Sequence, residues 1–283
     1  MNKKLEDFED DKIILSGVIN ISPDSYYEKS IINNKKELSE KIGEFKEYDV
    51  DYIDVGAMST KPVSIYGGQL IDKNTELKRL KKILPELIKL TEKNEILVSL
   101  DTQYSECAEY GLELGVDMVN DISGFKTDPK ILELLLEYDC DVAIMATNEL
   151  PGDICGMKKT IESLKSSLIM ADKFGIQKNR IAIDPGFGGW QGRSEECDLD
   201  LLKNFDKLKL FKLPIYVGVS RKSTIKTLNG GKEPKDRLAG SLVLTNWLIE
   251  KGLSPSLFNW NVEDAEIPSS SIKWCCTPEP LLR

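Results

Sequence analysis

The stretch ILVSLDTQYSECAEYGLELGVDMVND, residues 96–121, places two short apolar runs on either side of a helically spaced segment. Neither run alternates apolar with polar residues, which suits parallel strands buried on both faces rather than half-exposed ones. Each ends on a hydrogen-bonding side chain, Asp101 and Asn120. The stretch therefore reads as a strand, a helix and a second parallel strand. Moving outward, the same signature predicts strands near 12–19, 51–55, 141–145, 180–184, 214–218 and 256–260. Helical spacing falls between them at 35–47, 73–92, 128–137, 158–174, 197–209 and 234–250. Seven complete βα units and an eighth without an evident helix predict an α/β chain folded as a (β/α)8 TIM barrel with an atypical eighth unit. An open doubly wound sheet is the alternative, but no GxGxxG follows the first strand. No repeat or linker divides the chain, so residues 1–283 are expected to form one domain. A flexible start over 1–11 and an atypical segment over 261–283, with Pro268, Pro278 and Pro280, flank it.

Polar residues gather at the strand ends: Asn20, Asp54, Asp101, Asn120 with Asp121, Asp184, and then Ser220, Arg221 and Lys222. In a closed barrel these converge on the carboxyl rim, where the active sites of such barrels lie. Any one of them is equally well explained as a helix cap, because Asp, Asn and Ser favour βα junctions for that reason alone. Capping does not explain a lysine completing a ring of carboxylates and amides.

Composition narrows the chemistry. A net charge of −9 over 283 residues disfavours a nucleic-acid groove or an anionic membrane surface as the partner. The opening MNKKLEDFEDD is charged throughout and no run of about 18 apolar residues occurs, so a cytoplasmic protein is expected. Six cysteines lack CxxC spacing and are expected as free thiols, the adjacent Cys275 and Cys276 included. The chain contains no His, which removes imidazole bases and Ser/His pairs from consideration.

The segments GVINISPDSYY, YIDVGAMSTKP, VSLDT, VNDISGF, IAIDPGFG, VGVSRKS and RLAGSLVLTNWL, in that order from about residue 13 to 250, resemble those of dihydropteroate synthases and the wider pterin-binding barrel superfamily. The resemblance implies condensation of 6-hydroxymethyl-7,8-dihydropterin pyrophosphate with p-aminobenzoate or a related arylamine, releasing pyrophosphate, with Mg2+ as cofactor. It implies catalytic roles for Asp101, Arg221 and Lys222. It also implies that Asp101, Asn120, Asp184 and Lys222 read the pterin edge beside Asp54. Asn20 is implied as metal ligand and substrate contact, and Thr60, Lys61, Pro62 and Ser223 as shaping the arylamine and anion pockets. Small-molecule substrates and a possible homodimer follow, with no nucleic-acid or membrane partner.

The chain also departs from that pattern. The expected Arg-x-His of the eighth strand is occupied by Phe258 and Trp260. Lys61 stands where an Arg is usual, which keeps the charge but loses a bidentate fork. The segment IMATNELPGD replaces one of Met-His-Met type. Two alternatives stay open: a non-catalytic pterin-binding protein, or a pterin-dependent methyltransferase acting on a corrinoid protein. Trp190 is expected either to stack on a ligand or to cover the rim, and Trp247 and Trp274 to pack.

Overall fold

Eight parallel strands pair in chain order and close on themselves: β1 (Ile13–Asn20), β2 (Tyr52–Gly56), β3 (Leu97–Asp101), β4 (Met118–Asp121), β5 (Asp141–Met145), β6 (Ile181–Asp184), β7 (Ile215–Val217) and β8 (Ser256–Trp260). The computed structural model describes residues 4–8, 13–21, 34–58, 71–188, 190, 193–228, 233–251 and 256–260. Around the strands lie α1 (Lys35–Glu47), α2 (Lys73–Asn94), α3 (Ser105–Glu113), α4 (Ile131–Glu137), α5 (Met157–Phe174), α6 (Glu195–Lys203), α7 (Ser223–Leu228) and α8 (Leu238–Glu250). Ser256 to Trp260 pairs residue for residue with Ile13 to Gly17, and β8 also pairs with β7. The expected atypical segment over 261–283 lies outside the described residues.

Helix positions follow local chemistry. Asn34 caps α1 by accepting from the Lys36 and Glu37 N–H groups, and Asp72 caps α2 from Asn74 and Thr75, satisfying donors that a helix start leaves unpaired. Helix α1 turns Leu38, Ile42 and Phe45 onto the sheet, and α2 turns Leu80, Leu84, Leu87 and Ile88, as the 3.6-residue period requires. Two apolar clusters result between sheet and helices, one over β1–β3 and one over β4–β7. Two helical expectations need correction. The helix expected over 197–209 is α6 followed by a 3₁₀ segment, Phe205–Phe211. Helix α7 was not expected, because six residues are too few to show a period.

The barrel interior is layered. Its lower layer is apolar: Ile14, Tyr52, Met118, Ala143, Ala182 and Tyr216 pack with Leu5 and Phe8. Leu5 and Phe8 flank a 3₁₀ turn, Leu5–Asp7, and are nearly fully buried. The Leu5 N–H donates to Asp141 at 2.8 Å, Lys4 pairs with Asp139, and Asn179 donates to Glu6. The expectation of a flexible start over 1–11 therefore fails for residues 4–8. Two apolar side chains three residues apart find burial beneath the barrel, and the neighbouring charges find partners.

A second correction concerns the thiols. Cys155, after β5, and Cys197, on α6, are joined in a disulfide with Cα atoms 4.8 Å apart, whereas Cys107 and Cys140 are free and buried. A separation of 42 residues hides this pairing from any spacing rule. In chain-entropy terms such a loop closure contributes about 4 kcal/mol, so reduction by dithiothreitol is expected to lower Tm by several degrees, and Cys155→Ser should abolish that sensitivity.

Burial pushes Asp141 up to about 7, against the Leu5 N–H and the nearby Arg180 and Lys4 charges. A carboxyl raised in the fold favours folding when protonated. That contribution is intact below its unfolded value near 4 and is lost as pH rises through 7. Stability should therefore decline between about pH 4 and 7 through this group, and urea unfolding of Asp141→Asn across that window should show a flatter slope.

Candidate functional site

The register places Asn20, Gly56, Asp101 and Asn120 side by side around the carboxyl rim: Asn20 pairs with Gly56, Gly56 with Asp101, and Asp101 with Asn120. Side chains two residues apart on a strand face the same way, so Asp54 and Ser99 lie one layer below Gly56 and Asp101. Ser99 Oγ donates to Asp54 Oδ1 at 2.7 Å. Asn120 Nδ2 reaches the two Asp54 oxygens at 3.4 and 3.3 Å and the Tyr216 hydroxyl at 3.4 Å. A Cβ at position 56 would stand 3.3 Å from Asp101 Oδ2, so Gly56 is what lets this carboxyl lie close against the neighbouring strand.

Two buried acceptors in this group, Asp101 Oδ1 and Asn120 Oδ1, have no hydrogen-bond partner among the described residues. Such atoms are costly unless a ligand or water satisfies them. Burial holds the Asp101 carboxyl well above the usual carboxylate range; Asp54 and Glu76 push the same way and Lys222 opposes. Asp184 is raised by burial and drawn back by Lys222 and the Gly186 N–H, which donates to Asp184 Oδ1 at 2.6 Å. Lys222 is lowered by burial and supported by Asp184, Asp198 and Asp101; its Nζ donates to the Phe187 carbonyl at 3.1 Å. The rim thus gathers carboxyls, an amide and an ammonium in which burial disfavours the charged forms of Asp101, Asp184 and Lys222, an arrangement suited to a flat ligand rich in N–H donors with a carbonyl acceptor.

Arg221 has its backbone at φ 53 and is buried. Its N–H donates to Ser241 Oγ at 2.9 Å, its carbonyl accepts from Arg237 at 2.8 Å, and its guanidinium donates to the Pro234 carbonyl at 3.1 Å. At least one of its donors thus joins β7 to the start of α8. Ser223 opens α7, directly after Lys222. Asn20 is the last residue of β1. Thr60, Lys61 and Pro62 lie outside the described residues.

Asp121, noted in the sequence beside Asn120, is a loop cap. Its carboxylate accepts from the Ser123 N–H and Oγ and the Phe125 N–H at 2.7–2.8 Å. Trp190 covers the rim: its ring lies where a Cβ at Gly152 would stand, its Nε1 donates to the Gly186 carbonyl at 3.2 Å, and it packs against Met58, Ile122 and Met145. Sequence reasoning missed Tyr216, Ser99 and Glu76. The first two are signalled only by polar atoms on the inward face of otherwise apolar strands. Glu76 is fully buried on α2 and pushed up to about 7 by that burial; helical spacing alone gives no hint of it. Among the described residues no group of three or more Cys, Asp or Glu could hold a metal ion, and no helix is long and apolar enough to cross a membrane.

The chain is similar to known proteins. The pterin binding enzyme family matches residues 16–256. The bifunctional dihydropteroate synthase/dihydropteroate reductase of Helicobacter pylori is 34% identical over 250 residues, covering 85% of this chain and 62% of that one; the chain spans under two thirds of that relative's length. The dihydropteroate synthase of Staphylococcus haemolyticus is 30% identical over 243 residues, covering 86% and 87% of the two chains. A dihydropteroate synthase structure from Anaplasma phagocytophilum with bound 6-hydroxymethylpterin-monophosphate superposes with a TM-score of 0.77 at 27% identity, covering 93% of this chain and 98% of that one.

Ser99→Ala removes one buried donor from Asp54, and a hydrogen bond to a charged group contributes about 1.5 to 3 kcal/mol. A urea midpoint lowered to that extent with an unchanged m-value is expected; an unchanged midpoint would remove Ser99 from the network.

Proposed function

We propose, from the premise that this chain belongs to the pterin binding enzyme family and stands among its dihydropteroate synthases, that it condenses 6-hydroxymethyl-7,8-dihydropterin pyrophosphate with p-aminobenzoate or a related arylamine. Pyrophosphate leaves, and the product belongs to folate or methanopterin-type biosynthesis. The observation that carries this reading is the pair of buried, unpartnered acceptors Asp101 Oδ1 and Asn120 Oδ1 beside Asp184 and Lys222.

The chemistry follows from those groups. The paired N–H donors of the 2-amino-pyrimidine edge supply what the rim acceptors lack, in charge-assisted bonds that favour the carboxylate form of Asp184. The Lys222 ammonium supplies a donor to the ring's carbonyl and nitrogen side. As the bond between the pterin methylene carbon and the pyrophosphate oxygen breaks, its electron pair leaves with the oxygen and positive charge spreads over the pterin. The Asp101 carboxyl, drawn to its charged form by the cation it faces, stabilises that charge where it develops. The arylamine lone pair then forms the C–N bond, and the nitrogen sheds its proton afterwards, so no imidazole base is required.

The donor chemistry at β1 fits Mg2+: Asn20 offers a hard amide oxygen at the rim, and magnesium takes most of its remaining ligands from substrate phosphates and water. Bound there, the ion would supply charge neutralisation to the leaving pyrophosphate. Lys61 and Arg221 are assigned to the same anion, with Thr60, Pro62 and Ser223 shaping the arylamine pocket. The eighth unit is read as atypical because Phe258 and Trp260 replace the Arg-x-His grip. A homodimer is in keeping with Val243, 72% exposed on α8. The cytoplasm is the proposed compartment.

The test is pyrophosphate release from the pterin substrate across a panel of arylamines, with and without Mg2+. Asp184→Ala is expected to raise the Kd for pterin about 100-fold, the roughly 3 kcal/mol of a lost charge-assisted fork, and Asp101→Asn to lower turnover more than affinity. Pterin binding without release under any condition would favour the binding-protein alternative. Methyl transfer from a methylated reduced pterin would favour the corrinoid-linked one.

A further inference from the structure

Asp198 carries its charge on the buried face of α6, at 5% exposure, and its carboxylate holds three segments at once. It accepts from the Gly188 N–H at 3.1 and 3.4 Å. It pairs with the Arg193 guanidinium at 2.8 Å, both side chains buried. It also accepts from the Thr224 hydroxyl on α7. Arg193 in turn donates to the Gly186 carbonyl at 2.6 Å. Between Gly186 and Gly188 lies Phe187, whose carbonyl accepts from Lys222, two residues before Thr224.

We propose that Asp198 is a positioning residue of this site: by tying Gly188 and Arg193 to Thr224, it fixes Lys222 against the loop after β6 and so sets the ammonium's place beside Asp184. The inference rests on the transferase reading. Arg193 is consequently a strut of the loop and not part of the anion grip, because both guanidinium ends are engaged inside the protein.

A buried ion pair can also serve the fold alone, and Lys222 tells the two roles apart. The charged groups facing Lys222 are Asp184 on β6, Asp101 on β3, Asp198 on α6 and Arg193 in the loop before α6; the carboxylates support its charge and Arg193 opposes it. Removing the Asp198 charge therefore moves Lys222 deprotonation to lower pH, which a merely structural role would not do.

Pyrophosphate release by the full chain is measured against pH for the wild type, Asp198→Asn, Thr224→Val and Thr224→Ser. Asp198→Asn and Thr224→Val are expected to lower kcat/KM for the pterin substrate about 10- to 100-fold through misplacement. Thr224→Ser should remain near wild type, and the alkaline limb should move to lower pH in Asp198→Asn. A folded Asp198→Asn with wild-type rate and limb would overturn the proposal. So would a Thr224→Ser variant as impaired as Thr224→Val. If Asp198→Asn does not fold, the Thr224 pair decides. If the wild type itself releases no pyrophosphate, the transferase reading fails, and calorimetric pterin affinities across the same variants decide the positioning role.

Discussion

A closed parallel barrel leaves its inward side chains one narrow interior to share, and that constraint organises everything else in this protein. Each strand contributes alternate residues to it, so strand register dictates which groups meet. At the lower end the strands contribute Ile14, Tyr52, Met118, Ala143, Ala182 and Tyr216, which pack through apolar contact, with the Tyr216 hydroxyl also meeting Asn120. One layer higher the same alternation delivers Asp54 and Ser99, which hydrogen-bond to each other while Asn120 reaches down to Asp54 from the rim. At the rim Asp101 and Asn120 each keep a buried oxygen without a partner among the described residues. The transition from self-satisfied to unsatisfied polar groups along one axis marks the functional end of the barrel without reference to any relative.

Much of this was legible in the sequence, because a parallel strand buried on both faces is a continuous apolar run and its end is marked by the first polar residue. Asp101 and Asn120 could be assigned to one rim from residues 96–121 and their counterparts elsewhere. Strand order could not reveal which rim residues serve the chain itself. Asp121 and Asn120 are neighbours with the same capping propensity, yet one is consumed by three donors in its own loop and the other keeps an acceptor unpaired. That difference lies in where side chains point, which period and propensity do not encode.

Long-range pairings were the least legible. The Cys155–Cys197 bond, the Asp198 hub and the burial of Leu5 and Phe8 each join segments far apart in the chain. Each rests on residue types that are unremarked locally: a cysteine without a motif, an acid on a helix, two apolar residues in a charged opening. The departures at β8 are of another kind. Ser256–Trp260 keeps regular pairing with both neighbouring strands, so Phe258 and Trp260 leave the backbone role of this strand untouched.

The seating of residues 4–8 beneath the barrel has a practical consequence. Lys4 and Leu5 are anchored to Asp139 and Asp141 at the amino-terminal ends of the strands, while Asp101, Asp184 and Lys222 stand at the opposite ends. A surface tether attached through the chain's start therefore presents the ligand-facing rim outward to the liquid, so sensor-chip immobilisation by an amino-terminal tag suits direct binding measurements on this protein.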